Sequence, residues 1–91
     1  MARIAIIEDD ESIRSALSEM LQKNGHEAVV VASFERVVDA TLEANPDLVL
    51  LDLNLPGLDG TVVCREIRSR SSVPIIVVTS RTGEIDEAMC M

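Results

Sequence analysis

Leu48-Val49-Leu50-Leu51 is an unbroken apolar run, and an aspartate, Asp52, closes it. Such a run suits a parallel strand covered by helices on both faces, because neither side of the pleat then meets water. An ionisable residue at the end of that run is costly to bury unless it opens onto solvent, a cation or a partner. Leu53, Asn54 and Leu55 carry the chain out, Pro56-Gly57 turns it, and Asp59-Gly60 begins the next helix. Ligands of open α/β sheets bind in the crevice beyond the carboxyl ends of the strands. Asp52 is therefore the first candidate for chemistry, with a simple turn aspartate as the alternative.

The same grammar repeats along the chain. Residues 3–7 read as a first strand that ends abruptly at Glu8-Asp9-Asp10-Glu11. Ile13, Leu17, Met20 and Leu21 then recur at helical spacing, with acids in the first turn and Lys23 with Asn24-Gly25 at the close. Residues 26–31 read as a second strand, and His26 at its start as a solvated residue. Ser33 is placed to cap a second helix whose inner face is Phe34, Val37, Val38, Thr41 and Leu42, stopped by Asn45-Pro46. After the third strand, residues 47–52, a third helix runs from about Asp59 with Gly60, Val63, Cys64 and Ile67 inward and Arg65, Arg68 and Arg70 on a solvated face. Ile75 to Val78 reads as strand four, and a fourth helix is expected from Gly83 or Glu84 with Ile85, Ala88 and Met89 inward. Strands alternating with helices mean right-handed βαβ units and a parallel sheet.

At 91 residues the chain holds one domain at most. Its net charge of −8, from 16 acids and 8 bases, argues against nucleic-acid binding by this segment and against an anionic membrane surface. It suits a domain that binds a cation or a basic partner. The two cysteines, Cys64 and Cys90, form no metal-binding pattern and are expected to be reduced thiols in a cytoplasmic protein. No signal-peptide pattern precedes Ile4, and no apolar run approaches transmembrane length. Helix four has hardly begun when the sequence stops, so the 91 residues read as a fragment of a longer chain.

Three strand ends now offer polar groups to one edge of the sheet: Glu8-Asp9-Asp10, Asp52, and Thr79-Ser80. Two like charges about 4 Å apart, with surface-like screening, cost on the order of 4 kcal/mol. Such a cluster holds either a proton at raised pKa or a metal ion. Oxygen ligands without His or Cys favour Mg²⁺ or a similar hard cation, which commonly joins one or two carboxylates to a phosphate. Carboxylates also act as nucleophiles and form aspartyl phosphates.

These residues resemble the receiver domains of two-component response regulators. The resemblance rests on IAIIEDDESIR (residues 4–14), PDLVLLDLNLPGLDG (residues 46–60) and VPIIVVTSRTGE (residues 73–84), in the right order and spacing. It implies a flavodoxin-like, doubly wound parallel sheet of order 2-1-3-4 over residues 1–91, here without the family's fifth strand and fifth helix. It implies that Glu8 and Asp9 help bind Mg²⁺, with Asp9 the direct ligand. Asp52 would accept a phosphoryl group from a sensor histidine kinase, Asn54 would give the metal its backbone carbonyl, and Thr79 would be the switch hydroxyl. The LPGLDG and TSRTGE segments look most like the transcription-factor branch, whose DNA-binding winged helix would lie outside this chain. The family's lysine after the fifth strand would also fall beyond Met91, and Lys23 cannot take its role.

Two rival readings remain. One is a receiver-like interaction module that is never phosphorylated. The other is an aspartyl-nucleophile phosphohydrolase, an enzyme rather than a phosphoacceptor, which would want a second acid where Asn54 stands. A bare apolar edge on strand four and a sheet face without a fifth helix lead to a further expectation, self-association.

Overall fold

The computed structural model describes residues 1–31, 35–52, 55 and 57–78, and the backbone of 85–86. The elements are β1 (Arg3–Ile7), α1 (Glu11–Lys23), β2 (Glu27–Val30), α2 (Val37–Glu43), β3 (Leu48–Asp52), α3 (Gly60–Arg70), β4 (Ile75–Val78) and β5 (Ile85–Asp86). The sheet order is β2-β1-β3-β4-β5. The first four strands are parallel to one another, with Ile7 opposite Leu51 and Asp52 opposite Val78. For the first four strands that is the order 2-1-3-4 that the resemblance implied.

Pleat alternation divides the apolar runs between two faces. Ala5, Ile7, Val49, Leu51 and Ile75 turn to one side, where Val37 and Val38 of α2 and Val63, Cys64 and Ile67 of α3 close over them as the buried core. Thr41 is buried with them because its hydroxyl donates to the Val37 carbonyl at 2.7 Å, one turn back. The opposite side is less complete. Ile4 and Ile6 are buried there, but Leu48, Leu50, Ile76 and Val78 are only half-buried. No residue of α1 is buried. Ile13, Leu17 and Leu21 form its half-buried stripe, whereas Met20, expected on it, is 52% exposed. The expectation of helices sealing both faces is thus met on the α2–α3 side alone.

The helix ends follow local chemistry. Asp10 accepts the Ile13 N–H as N-cap of α1, and Asp59 accepts the Thr61 N–H as N-cap of α3. Gly25, at φ 81°, lets the chain leave α1 in the left-handed region that glycine tolerates. His26 is not the solvated residue expected: it is half-buried, and its Nδ1 accepts the Ala2 N–H at 3.1 Å. α2 begins after Arg36 with no side-chain cap, and the expected cap Ser33 and core residue Phe34 lie outside the described residues.

Four further expectations are corrected. Ile85 and Asp86, placed at the start of a fourth helix, form a two-residue strand antiparallel to β4. The pairing of Val78 with Ile85 and Val77 with Asp86 also means that the β4 edge is not wholly bare. The remainder of the expected helix, with Ala88 and Met89, lies outside the described residues. Cys64 packs in the core as expected but is disulfide-bonded, not a reduced thiol, so backbone periodicity placed it correctly and said nothing of its redox state. Arg70 is not merely solvated: it reaches Asp39 at 2.8 Å and ties α3 to α2, holding the Asp39 carboxyl below its ordinary range.

Candidate functional site

β1 ends at Ile7 and β3 at Asp52, and their register decides what meets at the sheet's carboxyl edge. Ile7 lies opposite Leu51, so the next residue on each strand, Glu8 and Asp52, emerges side by side. Both are 2% exposed. Asp9 follows Glu8 out of the strand and is exposed. One carboxylate oxygen from each of Glu8, Asp9 and Asp52 lies within 4.8 Å of the others. Asp10, one residue further, caps α1 and stands outside this group of three.

Burial pushes the Glu8 carboxyl up to about 7, and the hydrogen bond and charge of Asp52 push the same way. The Asp10 N–H, 3.3 Å from Glu8 Oε1, opposes them by stabilising the ionised form. The Asp9 charge adds a smaller upward push. Close carboxylates in a desolvated place keep a proton unless a cation replaces it. The donor set is three hard oxygens, which fits a small divalent cation such as Mg²⁺ better than a soft or nitrogen-seeking metal. Glu8, Asp9 and Asp52 are the residues that could hold it.

Comparison with known proteins settles which family builds this arrangement. The response regulator receiver domain profile matches residues 4–91. The chain belongs to the response regulator receiver domains. A transcriptional regulatory protein, YxdJ of Bacillus subtilis strain 168, is 47% identical over 91 residues, covering all of this chain and 40% of that protein. The chain thus spans about two fifths of the length of that curated relative. Among solved structures, the BeF3-activated receiver domain of Klebsiella pneumoniae RstA superposes with a TM-score of 0.79 at 36% identity, covering 86% of this chain and 67% of that one. The response regulator structure of TrrA in complex with the histidine kinase ThkA gives 0.78 at 36% identity, covering 88% and 70%. The likeness to receiver domains gives the four parallel strands their flavodoxin-like place.

Of the site residues expected in this receiver domain, Glu8, Asp9 and Asp52 are brought together, and Asn54 and Thr79 lie outside the described residues. Within the acidic pair, Glu8 is buried beside Asp52 and Asp9 is exposed, and both offer an oxygen to the group of three. The strand register carries that information: the residue directly after a paired apolar run stays at the sheet's edge, and the next is released to solvent. Sequence reading also missed the Asp10 N–H as a partner of Glu8. The signal for it was the cap itself, since an aspartate before a helical pattern has an extended backbone with a free N–H.

Proposed function

We propose that this receiver domain is a phosphoacceptor, and that Asp52 takes a phosphoryl group from the phosphohistidine of a sensor histidine kinase. The observation that supports this best is the meeting of Glu8, Asp9 and Asp52 oxygens within 4.8 Å at the carboxyl edge of β1 and β3. In the proposed step an Asp52 oxygen forms a bond to phosphorus while the phosphorus–nitrogen bond to the kinase histidine breaks and its electron pair returns to the imidazole. That Asp52 ends β3 beside Glu8 at the sheet's carboxyl edge supports this role. Glu8, Asp9 and Asp52 would hold the ion together with the Asn54 carbonyl, and the Thr79 hydroxyl would contact the phosphoryl group, these last two proposed from the family pattern. A bound Mg²⁺ would supply charge neutralisation of the transferring group. The domain is proposed as a substrate of the kinase assisting its own modification, not as an enzyme that turns over.

The partners follow from the same reading. The ThkA–TrrA complex supports a histidine kinase as donor. The YxdJ name supports transcriptional output, which we assign to a DNA-binding domain outside these 91 residues, in a cytoplasmic protein. Among the described residues no helix is long and apolar enough to cross a membrane. The test is labelling of the parent chain by a small acyl phosphodonor with Mg²⁺. Labelling of the wild type and its loss in Asp52→Ala supports the assignment. Equal labelling of Asp52→Ala would remove Asp52 as acceptor, and a wild type that binds Mg²⁺ but takes no label would favour an unphosphorylated interaction module.

A further inference from the structure

Asp10 is held at three points. Its Oδ1 accepts the Ile13 N–H at 3.1 Å, its carbonyl accepts the Arg14 N–H at 2.9 Å, and its own N–H donates to Glu8 Oε1 at 3.3 Å. The backbone at Asp10 is extended, at φ −74° and ψ 115°. That conformation belongs to an N-cap and not to a helical residue. It turns the Asp10 N–H back toward the strand end instead of along the helix axis. The consequence reaches two residues upstream, because the N–H so aimed lies against the Glu8 carboxylate. We propose that Asp10 is a positioning residue for the metal centre: by capping α1 it fixes the turn whose N–H orients the Glu8 carboxylate toward Asp9 and Asp52. The inference rests on the reading of this acidic group as a Mg²⁺ site, and deepens it. Asp10 itself contributes no ligand oxygen to the group of three.

The alternative roles differ in what they require. If Asp10 acted by its charge, any neutral replacement would weaken the ion. If it served α1 alone, the helix would suffer and the ion would not. If it acts through the turn, a neutral residue that still caps should suffice. Serine caps a helix without charge, alanine does not cap, and glycine tolerates the N-cap backbone but offers no side-chain acceptor.

The experiment is calorimetric titration of MgCl₂ into the folded parent chain and its Asp10→Ser, Asp10→Ala and Asp10→Gly variants. Asp10→Ser is expected to bind within about twofold of the wild type, and Asp10→Ala and Asp10→Gly about tenfold more weakly, near the lower end of what loss of an outer-sphere partner costs. Asp10→Gly keeps the test open should Asp10→Ala fold poorly. In metal-free protein, the Glu8 side-chain carboxyl resonance should move in the alanine and glycine variants and stay in place in the serine variant. Wild-type affinity in folded Asp10→Ala and Asp10→Gly would overturn the proposal while leaving the Mg²⁺ site intact. So would an Asp10→Ser variant as weak as alanine, which would assign the effect to charge. A wild type that binds no Mg²⁺ would overturn the site reading and this inference with it.

Discussion

Glu8 follows β1 and Asp52 ends β3, yet an oxygen of each lies within 4.8 Å of the other, and both residues are almost wholly withdrawn from water. A pair of acids in that situation cannot both be ionised cheaply without a cation. The predictions that follow draw first on that pair and then on the packing around it.

In metal-free protein, stability should fall as pH rises toward 7. Unfolded, Glu8 titrates in the ordinary glutamate range, and folded it keeps its proton to about 7. Its contribution is complete below the ordinary range, where both states hold the proton. Above that range the folded state binds more protons than the unfolded one, so stability is lost until pH passes the folded value. At about 1.4 kcal/mol per pKa unit, the loss is on the order of 3 kcal/mol. Asp39, held below its ordinary range by Arg70, acts in the other direction and only at more acidic pH. Urea unfolding between pH 5 and 8 measures the slope, and Glu8→Gln should flatten it. An unchanged slope in Glu8→Gln would mean that another group is responsible.

Mg²⁺ should stabilise the domain, and more so at pH 8 than at pH 5.5, because the ion and the proton compete for the same oxygens. At a hundred times the dissociation constant, the gain is about 2.7 kcal/mol. Thermal unfolding with and without MgCl₂ gives the comparison. Asp52→Asn should lose most of the Mg²⁺-dependent rise. A rise of equal size in Asp52→Asn would place the ion elsewhere.

Ile67→Ala should be among the costlier substitutions. Ile67 is fully buried where α3 meets the sheet, and truncation of such a residue leaves a cavity as well as losing transfer energy, about 2–5 kcal/mol together. Met20→Ala, on the exposed side of α1, should change stability by about 0.5 kcal/mol or less. Denaturant midpoints for the two variants test the difference, and equal losses would contradict the burial pattern.

The 91 residues expressed by themselves should self-associate. Leu48, Leu50, Ile76 and Val78 form a half-covered apolar face, and apolar surface of this kind seeks a partner. Among the described residues, the short β5 pairs with only Val77 and Val78 of β4, so part of that edge has no strand partner there. Sedimentation should show a concentration-dependent rise in mass, reduced by Ile76→Lys. A monomer at high concentration would count against this expectation.

Much of this was readable from the residues. The apolar runs at Ile4–Ile7, Leu48–Leu51 and Ile75–Val78 specify buried strands because no other short element hides four consecutive apolar side chains. The hand of their crossovers follows from chirality, whereas their order came with the family resemblance. The convergence of Glu8, Asp9 and Asp52 followed from all three standing at strand ends. What escaped was set by tertiary circumstance. Met20 fits the helical period, yet it is 52% exposed, on a side of α1 that the packing leaves uncovered. Ile85 sits in a helix-like pattern, yet it pairs with Val78, because an open strand edge competes with local propensity. That Glu8 is buried and Asp9 exposed is a matter of register, which no single stretch of sequence contains.

The pairing of Ile7 with Leu51 has a last implication. Nothing covalent and no local turn keeps the two acids adjacent; the rungs between two strands do. Sliding one strand by a single step would displace them by about 3.3 Å and turn one of them to the far side of the sheet. The distance between these two oxygen-bearing groups is therefore a gauge of how faithfully the central strands are aligned, and a misfolded chain with every helix in place would still lack the site.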